Sequence, residues 1–125
     1  MTAENSYEAF RRAEALLEQR RPAEALRVLD RVLAENPDKP SVQVLAGRAY
    51  YYTAQLRRAE AAFAAAVEMD PTDHYARLAL GRTLQRQGRL EEARTQLRLA
   101  ASMNPTPEYQ EALGEVRARI SLFER

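Results

Sequence analysis

Few side chains in this chain could carry out acid-base or nucleophilic chemistry. His74 is the single histidine, and it stands between Asp73 and Tyr75 at the start of a helical segment, where a surface or capping role is expected of it. Glu91 and Glu92 are adjacent, so on a helix their carboxylates point about 100° apart and do not converge on one substrate. Cysteine is absent, which removes thiol nucleophiles, disulfides and thiolate metal ligands together. With one histidine and no cysteine, no structural zinc site is expected. The four glycines are isolated from one another, so no phosphate-cradling loop is present, and Asn104-Pro105-Thr106 is spoiled as a glycosylation acceptor by its proline. What the chain does carry is binding chemistry: six tyrosines and, apart from Lys39, only arginine as a basic residue. Tyrosine and arginine combine large contact area with strong polar tips, and arginine grips a carboxylate through two parallel hydrogen bonds. Arg82 and Arg86 are four residues apart and share one face of a helix. Neither an enzyme nor a bound cofactor or metal is expected; a protein that binds another protein is.

The elements that position these residues follow from an internal repeat. Shifting the chain by 34 residues superposes Pro37, Pro71 and Pro105, then Ala25, Ala59 and Ala93, then Ala13, Gly47 and Gly81. Leu29, Phe63 and Leu97 fall in the same register, followed by Val32, Ala66 and Ala100. Small residues thus recur where two helices of one unit would cross, and proline recurs where the second helix must stop. Within units the apolar spacing is helical, as in Leu56, Ala59, Phe63 and Ala66. Gly88 marks a turn, Pro22 and Pro107 suit first helical turns, and Asp73 suits an N-cap. The repeats run over 6–39, 40–73 and 74–107. Residues 108–125 add a helix with Leu113, Val116, Ile120 and Phe123 on one face and Glu111, Glu115, Arg117 and Arg119 behind. Such a helix is expected to cap the open end of the stack; docking of Leu122 and Phe123 on a second molecule is the other reading.

These residues resemble the tetratricopeptide repeat family, whose unit is a 34-residue antiparallel helix pair ending near a proline. Residues 40–73 match best, with Gly47, Tyr50, Ala59, Phe63, Ala66 and Pro71 at signature places, and the next unit keeps Leu80, Gly81, Ala93, Ala100 and Pro105. Residues 6–39 match weakly, with Ala13 for the glycine and Arg12 where leucine is usual, and Ala9, Gln43 and Arg77 replace the common tryptophan. The resemblance implies an all-α superhelix, a single domain of three helix-turn-helix repeats over residues 1–125 with a C-terminal capping helix. It also implies that the first helix of each unit lines a concave groove in which a partner peptide or helix lies. Transferred residue by residue, the groove would hold Tyr7, Phe10, Glu14, Leu17 and Glu18 from the first unit and Ser41, Val44, Arg48, Tyr51 and Tyr52 from the second. Tyr75, Leu78, Arg82, Gln85 and Arg86 would follow from the third, with Tyr109 and Val116 extending the wall. Pairing of Arg48 with Glu14, and packing of the tyrosines between helices, are the competing readings; for Tyr50 the packing role is expected. Some family members grip acidic chaperone tails through a clamp of Lys and Asn residues. Here Phe10 and Glu14 stand where that clamp needs a lysine and an asparagine, and Leu45 replaces the second asparagine, so that partner is not expected.

Charge narrows the partner. The net charge is +1, too small for a field that would favour nucleic acid or a membrane surface. Residues 74–107 nevertheless hold six arginines against Glu91 and Glu92, four positive charges in excess. Arg94 and Arg98 fall on a second helix and should face away from Arg82 and Arg86, so the excess is split and no continuous phosphate-tracking stripe forms. An acidic or C-terminal carboxylate segment is the expected ligand, with self-assembly as an alternative. The opening residues MTAENSYEAF lack the basic start and apolar stretch of a secretory signal, and no apolar run approaches the ~20 residues that span a bilayer, so a cytoplasmic protein is expected.

Overall fold

The computed structural model describes residues 3–124; the expectations for the two leading residues and for residue 125 lie outside them. Among the described residues there are seven helices and no strand. They are α1 (Ser6–Glu18), α2 (Pro22–Glu35), α3 (Pro40–Tyr52), α4 (Leu56–Met69), α5 (His74–Arg86), α6 (Leu90–Met103) and α7 (Pro107–Phe123). Local chemistry explains their ends. Asn5 opens α1 by accepting the Glu8 N–H at 2.8 Å, and Asp73 opens α5 by accepting the Ala76 N–H at 3.0 Å. Pro22, Pro40 and Pro107 stand in first turns, where a backbone donor would have no helical acceptor in any case. Helices α2, α4 and α6 each stop two residues short of Pro37, Pro71 and Pro105.

Each antiparallel pair closes around one contact between a small and a large residue. A Cβ built on Gly47 would lie 2.6 Å from Phe63 Cε1, and one on Gly81 would lie 2.6 Å from Leu97 Cγ. Glycine is therefore required at both crossings. Fully buried Ala13 and Leu29 hold the same repeat positions in the first pair.

The pairs stack side by side, and which helices meet shows which face is the inner one. Beyond chain neighbours, α1 touches α3, α3 touches α5 and α5 touches α7, whereas α2 and α4, or α4 and α6, do not approach one another. The odd-numbered helices therefore line the concave face of an all-α superhelix of three helix-turn-helix repeats and a terminal helix. Two apolar clusters form the core. The first joins Ala13, Leu17, Leu29, Val32, Val42, Leu45 and Ala49; the second joins Phe63, Leu78, Leu84, Leu97, Ala101, Leu113, Val116 and Ile120. Helix α7 thus covers the last unit through Ala112, Leu113, Val116 and Ile120. Two expectations for this helix are corrected. Val116 is wholly buried and forms no groove wall, and Phe123, placed by its spacing on the buried stripe, is 78% exposed because α7 has by then run past the end of α6 that it packs on.

The turn inside each pair passes through a left-handed residue at one repeat position: Arg20 (φ 61°), Ala54 (φ 59°) and Gly88 (φ 77°). Only Gly88 was legible as a turn residue. A Cβ in this conformation costs ~1–2 kcal/mol, against ~0.5–1 kcal/mol of extra chain entropy that glycine loses on folding. Ala54→Gly is therefore expected to stabilise the fold by about 0.5–1 kcal/mol, read as a higher urea midpoint at unchanged slope, and Gly88→Ala to destabilise it by a similar amount.

Candidate functional site

On the concave face, α3 and α5 enclose a cavity of about 310 Å³. Its floor is apolar, formed by Phe63, Leu78 and Ala79, and its rim carries Arg48, Tyr51, Tyr52, Tyr75 and Arg82. Residue periodicity explains the convergence: Arg48 and Arg82 are repeat equivalents, as are Leu78 and Val44, so successive inner helices present the same faces side by side. Tyr51 and Tyr52 meet edge to face, with ring centroids 5.5 Å apart at 89°. Tyr52 and Tyr75 remain 65% and 41% exposed, leaving both rings available to a ligand. Partial burial pushes the Tyr75 phenol above its usual range, while Arg48 and Arg82 pull it the other way. Both guanidinium groups and the Tyr75 ring line the same cavity.

The arginines differ in what already holds them. Arg82 Nη1 lies 3.3 Å from Glu108 Oε1 in the first turn of α7, an exposed pair. Arg48 forms no ion pair among the described residues, and Glu14, its alternative partner, is held by Arg11 at 3.0 Å. Arg86 does not join the cavity. Its guanidinium lies 4.6 Å over the Tyr51 ring and donates to the Tyr51 carbonyl oxygen at 3.1 Å, tying the end of α5 to the end of α3. The expected partnership of Arg82 with Arg86 is thus replaced by one of Arg82 with Arg48.

Other expected groove residues are dispersed. Arg48 and Tyr52 also wall an adjoining cavity of about 530 Å³ with Leu17, Glu18, Arg20 and Pro22. Tyr7 and Phe10 line a separate cavity of about 210 Å³ with Val32, Asn36, Lys39 and Val42. Tyr109 is not a wall residue: it is 5% exposed and sits in the second core cluster. The reason is a local anchor. The Tyr109 hydroxyl and His74 Nδ1 are 2.8 Å apart, whereas Tyr75, one repeat earlier, has Pro40 in the place of His74 and no such polar partner. Glu108 was not foreseen, since its role depends on where α7 crosses α5. Phe63 was read only as packing, although its ring reaches the cavity floor. No group of three or more His, Asp or Glu side chains among the described residues is disposed to hold a metal, and no helix there is long and apolar enough to cross a membrane.

The tetratricopeptide repeat model matches residues 16–64 and 53–116, most of the chain. The chain belongs to the tetratricopeptide repeat family. No curated protein sequence matches it. Among solved structures, it is similar to the first tetratricopeptide repeat domain of Spaghetti (RPAP3) bound to the HSP90 peptide SRMEEVD, with a TM-score of 0.88, 16% identity and 97% of each chain covered. The Sgt2 tetratricopeptide repeat domain of Aspergillus fumigatus superposes with a TM-score of 0.89 at 16% identity, over 98% of this chain and 83% of that one. YrrB, described as a tetratricopeptide repeat protein with an unusual peptide-binding site, gives 0.82 at 24% identity, over 92% of this chain and 58% of that one. At these identities the likeness is one of fold.

The His74–Tyr109 contact joins the last repeat to its terminal helix and can be tested directly. Tyr109→Phe removes one part-buried hydrogen bond and is expected to cost about 0.5–1.5 kcal/mol near pH 8. Burial raises the Tyr109 phenol above its unfolded value, so the folded state favours the neutral form, and stability is complete below the unfolded value and lost as pH rises through the folded one. The difference between Tyr109→Phe and the parent in urea unfolding should therefore shrink as pH is raised past about 10.

Proposed function

We propose that the protein is an interaction module, not an enzyme, that takes a peptide segment of a partner protein along its concave face in an adaptor or scaffold role. One observation carries this reading: Tyr51, Tyr52 and Tyr75 rim an apolar floor between Arg48 and Arg82. Such a site suits an apolar side chain lodged among the rings and a carboxylate, from an acidic residue or a chain end, held by the two guanidinium groups. The adjoining cavity, walled by the same Arg48 and Tyr52, gives an extended segment somewhere to continue along the C-terminal end of α1 at Leu17 and Glu18. The peptide bound by the similar Spaghetti domain is itself acidic, which supports the ligand class. Leu45, where a chaperone-tail clamp would place asparagine, is buried here, so a different acidic partner fits better. Nucleic acid fits poorly, because Arg98 projects from α6 on the outer face and Arg94 there is paired with Glu91. A cytoplasmic setting accords with this reading.

Titration with acidic peptides that carry an aromatic or aliphatic residue next to the acid, followed by calorimetry, tests the site. Replacing Arg48 and Arg82 by Glu should weaken binding by about 1.5–3 kcal/mol for each charge-assisted hydrogen bond lost, and added salt should weaken it further. The fold should persist, since both side chains reach solvent. The Arg94→Glu, Arg98→Glu pair carries the same charge change on α6 and should leave affinity unchanged. Glu108→Gln, which frees Arg82 from an exposed ion pair worth ~0–1 kcal/mol, should strengthen binding by up to several fold. Binding lost with the α6 pair but retained with the Arg48, Arg82 pair would move the site to the outer helices.

A further inference from the structure

The end of α7 carries its own unpartnered chemistry. Leu122 and Phe123 are 62% and 78% exposed, the largest apolar surfaces on this helix, while Leu113, Val116 and Ile120 already satisfy its packing on α6. Glu124 follows directly, so an aromatic ring and a carboxylate stand next to one another at the end of the helix, about 100° apart around its axis. The carboxylate is opposite in charge to the two guanidinium groups of the cavity, and the ring matches the chemistry of its apolar floor and tyrosine edges. We propose that the concave cavity of one copy receives Phe123 and Glu124 of a second copy, with the ring over Leu78 and Ala79 and the carboxylate at Arg48 and Arg82. This rests on the peptide-binding reading of the same cavity and names its occupant.

The contact has to be between copies. Glu108 lies beside Arg82, and at ~1.5 Å of rise per residue the fifteen steps from Glu108 to Phe123 carry it about 22 Å along α7. Phe123 accordingly borders a separate surface pocket with Gly88, Leu90 and Ile120, away from its own cavity. Glu108 pairs with Arg82 at the rim, and the incoming Glu124 replaces it there without leaving either guanidinium buried and unpaired. Two copies that each insert a terminus into the other form a closed pair, and one-way insertion extends into a chain.

Sedimentation velocity on the full chain, over concentrations up to about 1 mM, tests this. The parent should associate with rising concentration, and Arg82→Glu alone and the Phe123→Ser, Glu124→Lys double variant alone should each be shifted at least tenfold toward monomer. Mixing the two variants should restore association and stop at one-to-one dimers, because one supplies the only intact cavity and the other the only intact terminus. Circular dichroism on both variants should match the parent, since the altered side chains are solvent-facing. A parent that stays monomeric throughout, or self-association that survives the terminal double variant, overturns the inference. If the monomeric parent still binds acidic, aromatic-containing peptides at the cavity, the peptide-binding reading stands alone; if it binds none, that reading falls as well.

Discussion

The close approach of paired helices at Gly47 and Phe63, and again at Gly81 and Leu97, is the contact on which the rest of the molecule depends. With no Cβ on one helix, a large side chain of the other reaches its backbone, and an ideal Cβ at either glycine would lie 2.6 Å from that side chain. That distance leaves no room for a Cβ unless the Phe63 ring or the Leu97 side chain is displaced from the packed interior. The spacing within each pair also bears on the cavity between α3 and α5. Phe63 connects the two scales: its ring fills the crossing at Gly47 and also forms part of the cavity floor.

The fold was legible because stacked repeats reuse one set of local rules. Proline at 37, 71 and 105 could only mean a helix end, and small residues at 13, 47 and 81 could only mean a crossing. Periodicity reaches the candidate site as well: Arg48, Tyr51, Tyr52, Tyr75, Leu78 and Arg82 are expected on the groove side, and all six line one cavity. Failure came where periodicity stops governing. Tyr109 lies in the register of Tyr75, but no fourth pair follows it, and His74 offers its hydroxyl a partner that Tyr75 lacks. Arg86 spans 35 residues to reach Tyr51, a pairing set by the angle between α3 and α5 that spacing alone does not encode. Arg20 and Ala54 adopt left-handed backbone without a glycine, so composition concealed two of the three turns.

The arginines illustrate why residue type alone is a poor guide to a binding surface. Arg89 bridges Glu60 and Glu92 and is held strongly charged by both, Arg86 braces a tyrosine, and Arg94 pairs with its own helix. Of the six in the third unit, Arg82 is the one that lines the cavity, where Arg48 from the second unit joins it. The local excess of positive charge is therefore mostly structural, and the part available to a ligand is small and directional.

The division of the core into two apolar clusters has a consequence for how the molecule breathes. The seam runs along α3, whose Val42, Leu45 and Ala49 belong to the first cluster while Val44, Tyr50 and Tyr51 rest on the second. The first pair of helices can detach as a cooperative unit at lower free energy than the remainder, because that excursion leaves the larger cluster intact. The cavity lies on the second side of this seam, since Phe63, Leu78 and Ala79 belong to the second cluster and Tyr51 packs against it. Detachment of α1 and α2 therefore leaves the apolar floor in place and dismantles only the adjoining cavity, which Leu17 and Pro22 wall together with Arg48 and Tyr52.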